Sequence, residues 1–235
     1  MKRLLALALL ALLAGCRVAP EGGPATDTAA DRSAVWPPYP YRAQSAVHAV
    51  YALDADRSSL DFVVRREGAL ARFGHDHVLS PTDLEGWLLA AAATPAMRAD
   101  VRFSTRELAL DEPAARTRYA LDTTPDEAAI AGTRDNLLRE VLRRDAWPEV
   151  TVTLNGTQPA ENGFSATLSV RWGEAEYRLQ RPLNVAREDR EIRLTGTFRV
   201  RQTELGMTPL AILGGGLRVR DEIEVYLDLR GTRLD

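Results

Sequence analysis

Apolar and polar side chains alternate strictly from about residue 47 almost to the C-terminus. Leu60, Phe62 and Val64 alternate with Asp61 and Arg65, and Val101 and Phe103 with Arg102 and Ser104. Val150, Val152 and Leu154 flank Thr151 and Thr153, and Phe164, Ala166, Leu168, Val170 and Trp172 are spaced by Ser165, Thr167, Ser169 and Arg171. The same period runs through Ile192, Leu194, Phe198 and Val200, and again through Ile223, Val225, Leu227 and Leu229. A period of two puts each set on one face of a strand and leaves the other face wet. Turn residues such as Asn155-Gly156 and Glu161-Asn162-Gly163 separate many of the runs. The pattern predicts strands at about 48–54, 58–66, 69–79, 83–92, 98–110, 148–156, 163–173, 175–186, 191–204 and 217–231. One segment, 126–144, carries helical spacing in Ile130, Leu137, Leu138, Val141 and Leu142, and Trp147-Pro148 ends it. A shorter turn is expected in 207–213, before Gly214-Gly215-Gly216.

Long antiparallel strands with one apolar face pack as two sheets or close into a barrel. Closure removes the exposed edges that strands of this length would present. A barrel of about eight strands is just wide enough for one small ligand. The expected fold is therefore all-β: a closed antiparallel barrel of about eight or more strands, with one helix over an opening or edge. A membrane barrel would carry its apolar face outward. The many charges on the strand polar faces argue for an apolar interior instead.

Before residue 47 the pattern is absent. Lys2 and Arg3 precede an unbroken Leu/Ala run from Leu4 to Leu13, then Ala14, Gly15 and Cys16. A charged start, a short apolar run and small residues read as a secretory signal, and the run is shorter than the roughly 20 residues a spanning helix needs. Leu13-Ala14-Gly15-Cys16 resembles the lipobox of bacterial lipoproteins, which implies lipidation of Cys16 as the mature N-terminus. By the same resemblance, Arg17 in place of Asp implies the outer membrane, facing the periplasm. The alternative is ordinary cleavage that leaves a free thiol. Residues 16–46, rich in Ala, Pro, Gly, Thr and Asp, read as a tether, and 47–235 as the barrel domain. The cluster Trp36-Pro37-Pro38-Tyr39-Pro40-Tyr41 suits packing on the domain edge better than a proline-recognising partner.

Loss of residues 1–15 removes Lys2 and Arg3 and no acids, leaving 28 basic and 33 acidic side chains, a net charge of −5. That balance offers no sequence-wide case for nucleic-acid binding. With one cysteine there is no internal disulfide. There is no Gly-x-Ser-x-Gly elbow, the triple glycine lacks the Lys-Ser/Thr of a phosphate loop, and no cofactor motif is present. The expectation is a binding protein, not an enzyme. Assembly as a homodimer is left open.

Three ordered segments resemble the YceI-like family of lipocalin-like barrels. Tyr51-Ala52-Leu53-Asp54 with Ser59-Leu60-Asp61-Phe62 resembles the opening strands. Trp147-Pro148-Glu149-Val150-Thr151 resembles the passage from helix to strand. Leu205-Gly206-Met207 with Val219-Arg220-Asp221-Glu222-Ile223-Glu224-Val225 resembles the closing segment. The resemblance spans about 49–231 and implies binding of polyisoprenoid chains. Phe73-Gly74-His75-Asp76-His77 departs from the family's usual stretch after the second strand.

His75 and His77 are the sharpest chemistry in the domain. Two apart in a strand, they share a face with Ala71, Phe73 and Leu79, while Arg72 and Asp76 point away. Three readings stand: rings satisfied by neighbouring groups, a polar handle for a quinone carbonyl or prenyl phosphate, or part of a metal site. Zinc normally takes three or four protein ligands, and no third is placed. The expected ligand, an isoprenoid quinone or polyprenyl lipid, would lie against Leu60, Phe62, Val64, Phe73, Val101, Phe103, Leu168, Val170, Leu179, Phe198, Val200, Ile223 and Val225, with His75 and His77 at its head. The same residues could instead fill the interior. A metalloprotein or hydrolase built on the histidines, and a ligand-free structural lipoprotein of the envelope, are the rival readings.

Overall fold

The computed structural model describes residues 36–91, 97–143, 145–160 and 163–234. The signal segment, Cys16, the tether up to residue 35 and the predicted turn at Glu161-Asn162 lie outside the described residues. Among the described residues, twelve strands form one sheet: β1 (Ala49–Leu53), β2 (Ser59–Glu67), β3 (His77–Pro81), β4 (Glu85–Ala90), β5 (Met97–Ser104), β6 (Leu108–Leu110), β7 (Glu149–Ala160), β8 (Gly163–Trp172), β9 (Ala175–Glu188), β10 (Glu191–Arg201), β11 (Ala211–Ile212) and β12 (Leu217–Arg233). Eight of them close into an antiparallel barrel in the order β1-β4-β5-β7-β8-β9-β10-β12 and back to β1.

β12 makes the closure possible. One edge pairs with β10 from Glu222 to Thr232. Its other edge is shared: Arg218 to Asp228 pair with β2, and Gly231 to Arg233 with β1. The β1 branch completes the ring through β4. The β2 branch runs through β3 to β6, which continues β5 beyond a break at residues 105–107. The barrel end formed by the start of β12 is thus walled separately from the end formed by β1.

Alternation works as expected. Ile192, Leu194 and Val200 of β10 are buried between exposed Glu191, Arg193 and Arg199. Leu88, Leu183, Ile192 and Leu194, each at most 1% exposed, anchor the core. The outer face carries ion pairs such as Arg193–Asp228 at 2.7 Å and Arg102–Glu85 at 2.6 Å. Among the described residues, no helix is long and apolar enough to cross a membrane.

Four expectations change. The strand predicted at 69–79 is instead a 3-10 turn, Ala71–Phe73, followed by β3 from His77. The strand predicted at 98–110 is broken into β5 and β6. Asn155-Gly156 does not turn the chain; β7 continues past it with a register shift between Asn155 and Gln158. The helix is shorter than 126–144: α2 (Glu127–Asn136), capped by the Asp126 carboxylate accepting the Ala129 N–H at 2.8 Å, passes into a π-helical turn, Leu137–Val141. A short helix that the sequence did not announce, α1 (Pro113–Arg118), lies on the outside of β2 and β3 against Val63 and Val78.

The aromatic cluster before β1 is packed. Tyr41, 1% exposed, sits with Val50, Leu89, Tyr39 and Trp87, and its hydroxyl donates to buried Asp100 at 2.6 Å. Trp36 lies under Arg102 at 4.8 Å. The packed structure therefore begins earlier than residue 47.

Candidate ligand-binding cavity

The barrel encloses a cavity of about 520 Å³, within the roughly 300–1,000 Å³ of small-molecule sites. Its wall is what alternation supplies: Leu60, Phe62 and Val64 from β2, Val101 and Phe103 from β5, Leu168 and Val170 from β8, Leu179 from β9, Phe198 and Val200 from β10, and Ile223 and Val225 from β12. Phe73, His75 and His77 line it too, so all fifteen side chains picked from the sequence face one space. On β12 alone, the lining runs from Leu217 to Leu229, on the order of 40 Å of strand. Its deep end is closed by Leu183, Leu194 and Leu229, each at most 3% exposed. At the other end Phe73 and Ile212 line the cavity while 62% and 45% exposed, so an apolar rim faces outward. α2 lies beside this end and contributes Ala129, Thr133 and Asn136, and the π-helical turn after it contributes Leu137.

The polar lining gathers near α2 and the rim. Arg66 forks onto Asp122 at 3.1 Å on both nitrogens, and Arg218 pairs with Glu67 at 2.7 Å. Gln202 is satisfied by the Arg220 carbonyl at 2.9 Å. His77 is the centre of a fixed network. Its position on β3, opposite Val64 of β2, turns it inward beside Leu79. Its Nδ1 lies 2.6 Å from Asp111 Oδ2, and its Nε2 3.3 Å from the Thr133 hydroxyl on α2. Asp111 Oδ1 accepts the Val78 N–H at 3.1 Å and Arg116 Nη1 at 2.6 Å. Burial alone would push the Asp111 carboxyl up. The His77 bond and charge, the Val78 N–H and Arg116 outweigh it and hold the carboxyl below its ordinary range.

His75 reaches the cavity differently. It follows the 3-10 turn and precedes β3, so the shared strand face expected for the pair does not exist. Its ring stands edge-to-face to His77, centroids 6.2 Å apart, and its Nδ1 is buried without a partner among the described residues. Trp172, also lining the cavity, has a buried Nε1 in the same condition. Asp76 points away as expected, accepting the Arg66 N–H at 2.9 Å and pairing with Arg65 at 3.1 Å. Among the described residues, no group of three or more His, Cys, Asp or Glu side chains converges on a metal position.

Sequence reasoning missed Asp111, Arg116 and Thr133. Asp111 adopts φ of +60°, a conformation Asp tolerates better than most residues, just after β6. An isolated acid there reads as a turn residue, and its partners are 33 and 34 positions away for Val78 and His77.

The solved BcnA of Burkholderia cenocepacia superposes on this chain with a TM-score of 0.56 at 11% identity, over 77% of this chain and 99% of BcnA. The fold is the YceI-like barrel. The YceI protein of Campylobacter jejuni gives a TM-score of 0.48 at 10% identity, over 67% of this chain and 85% of that one. At 11% identity the likeness to BcnA is one of fold. No protein-family model matches the sequence, and no curated protein matches it.

Proposed function

We propose that this chain is a non-enzymatic binding protein that holds an extended apolar ligand, an isoprenoid quinone or polyprenyl lipid, inside its barrel for carriage, storage or sensing. The observation that carries this reading is the elongated apolar cavity with polar groups gathered near one end. Burial is worth roughly 25 cal/mol per Å² of apolar surface, so a long isoprenoid tail binds on area with few hydrogen bonds. The exposed rim of Phe73 and Ile212 supports entry from an apolar phase. A lipid on Cys16, in a periplasm-facing outer-membrane lipoprotein, would keep that rim near the source of such ligands.

Native mass spectrometry followed by organic extraction tests the reading. Release of a long-chain isoprenoid, or uptake of added quinone at one per chain, is expected. No lipid in repeated preparations, together with no uptake, would sink it.

A second reading draws on the order hydroxyl–imidazole–carboxylate in Thr133, His77 and Asp111, the sequence of groups that activates a nucleophile in acyl transfer. Incubation with p-nitrophenyl palmitate separates the two. Turnover abolished in Thr133→Val would favour hydrolysis, and wild-type rates equal to background would remove it.

A further inference from the structure

We infer that His77, held by Asp111, selects ligands whose head carries a hydrogen-bond donor, a hydroxyl, over heads that only accept. The inference rests on the binding reading above and narrows the chemistry of its ligand.

A neutral imidazole has one N–H and one lone pair. Asp111 can only accept, so once the ring has lost the charge that helps hold Asp111 low, its one remaining proton sits on Nδ1, 2.6 Å from Oδ2. The Nε2 lone pair then faces Thr133 and the cavity. Thr133 can donate its hydroxyl hydrogen to Nε2 across 3.3 Å, which leaves the oxygen lone pairs of Thr133 free. With Thr133 bonded to Nε2, a ligand approaching this corner meets the Thr133 lone pairs, and a ligand that takes Nε2 itself must donate to it. A hydroxyl head donates to either. A carbonyl or ether brings lone pairs against lone pairs and leaves a buried acceptor unmade. The buried, unpartnered Nδ1 of His75 stands at the same corner. A hydroxyl, which both donates and accepts, can serve it while bonded to His77 or Thr133.

Asp111→Asn reverses the polarity with little change of shape. Oδ1 of the carboxylate already takes two donors, Val78 N–H and Arg116. The Asn carbonyl would keep that place, and its amide would donate to His77 Nδ1. The ring then carries its proton on Nε2 and becomes a donor toward the cavity.

The test uses the full chain in detergent, stripped of bound lipid, at pH 8. Geranylgeraniol and its methyl ether share one tail and differ only in the donor. Competition between them is read by native mass spectrometry. The wild type is expected to prefer the alcohol about tenfold, and Asp111→Asn to bring the ratio near one. Equal binding by the wild type, or an unchanged ratio in the variant, overturns the inference and leaves the binding reading standing. Failure of both probes to bind overturns the binding reading and this inference with it. Should the variant not fold, ¹⁵N spectra of histidine-labelled wild type decide: an unprotonated Nε2 on His77 is expected, and a protonated Nε2 at pH 8 overturns the inference.

Discussion

Asp111 shows how much one side chain can determine beyond its own position. Its N–H donates to the Val78 carbonyl at 2.9 Å, and its carboxylate meets Val78, Arg116 and His77 with a fully buried side chain. The sign of its pH linkage follows. Its folded carboxyl titrates lower than an unfolded one, so its contribution is complete above about pH 4 and is lost as pH falls through the folded value. Urea unfolding between pH 4 and pH 2 should show a shallower loss of stability in Asp111→Asn than in the wild type. Identical slopes would mean that Asp111 is not ionised in the fold. Tyr41 is a second residue whose weight comes from one bond. Tyr41→Phe keeps the ring packing but removes the donor to buried Asp100, which Arg98 and Thr153 still serve at 2.9 and 2.6 Å. A cost of about 1.5–3 kcal/mol in urea unfolding is expected for a bond to a charged acceptor. The wall was legible because alternation fixes which side chains turn inward. Asp111 and Thr133 were not, since no local pattern ties an acid after β6 or a threonine on α2 to a histidine on β3.

Elements followed the sequence where strands were long and failed where the chain leaves the sheet. The predicted strand 69–79 has Gly68 just before it and Gly74 at its middle, and both let two loops meet at the rim. Gly68 has φ of +103°, and a Cβ there would sit 2.5 Å from the Gly216 oxygen, close to where Leu70 N–H bonds that same oxygen at 2.8 Å. Gly68→Ala faces both a strained φ and a backbone clash, so a loss of about 1–3 kcal/mol by urea unfolding is expected. α1 was missed because six residues cannot display a period, and its hold on the sheet is polar as much as apolar. Arg118 and the Tyr119 hydroxyl both reach Asp61 of β2, at 3.1 and 2.6 Å, and the Tyr119 ring stacks on Tyr226 at 4.3 Å. Burial and the Asp61 carboxylate push the Tyr119 hydroxyl up to about 12. A raised value favours the protonated form in the fold. Its contribution is therefore full below about pH 10 and lost as pH climbs toward 12. Hydrogen exchange should show α1 amides losing protection across that window ahead of β10. Protection unchanged at pH 12 would show that the tyrosine bond does not hold the helix.

At the scale of the molecule the question is why a barrel with so much apolar wall remains hollow. Opposite inward positions on neighbouring strands carry mid-sized residues: Val225 faces Phe198 on one side and Phe62 on the other, and Val152 faces Val101 and Val170. Closure by β12 fixes the circumference through backbone hydrogen bonds, so the wall cannot collapse onto these side chains without breaking the ring. A cavity kept open by the sheet forfeits the packing that its lining would otherwise make, and an apolar ligand restores it. Val225→Trp tests that argument. In a filled core such a substitution costs typically 1–3 kcal/mol or more. In a space of about 520 Å³ the added ring has room. The expected change in the stability of lipid-free protein is under about 1 kcal/mol, by the same volume argument. The ring occupies the path of the tail, so isoprenoid uptake should fall at least about tenfold, the equivalent of 1.4 kcal/mol. Leu88→Trp is the control, since Leu88 is fully buried in the core and should show the full overpacking cost. Equal penalties at the two positions would mean that the barrel interior is packed, and the binding reading would lose the observation on which it stands.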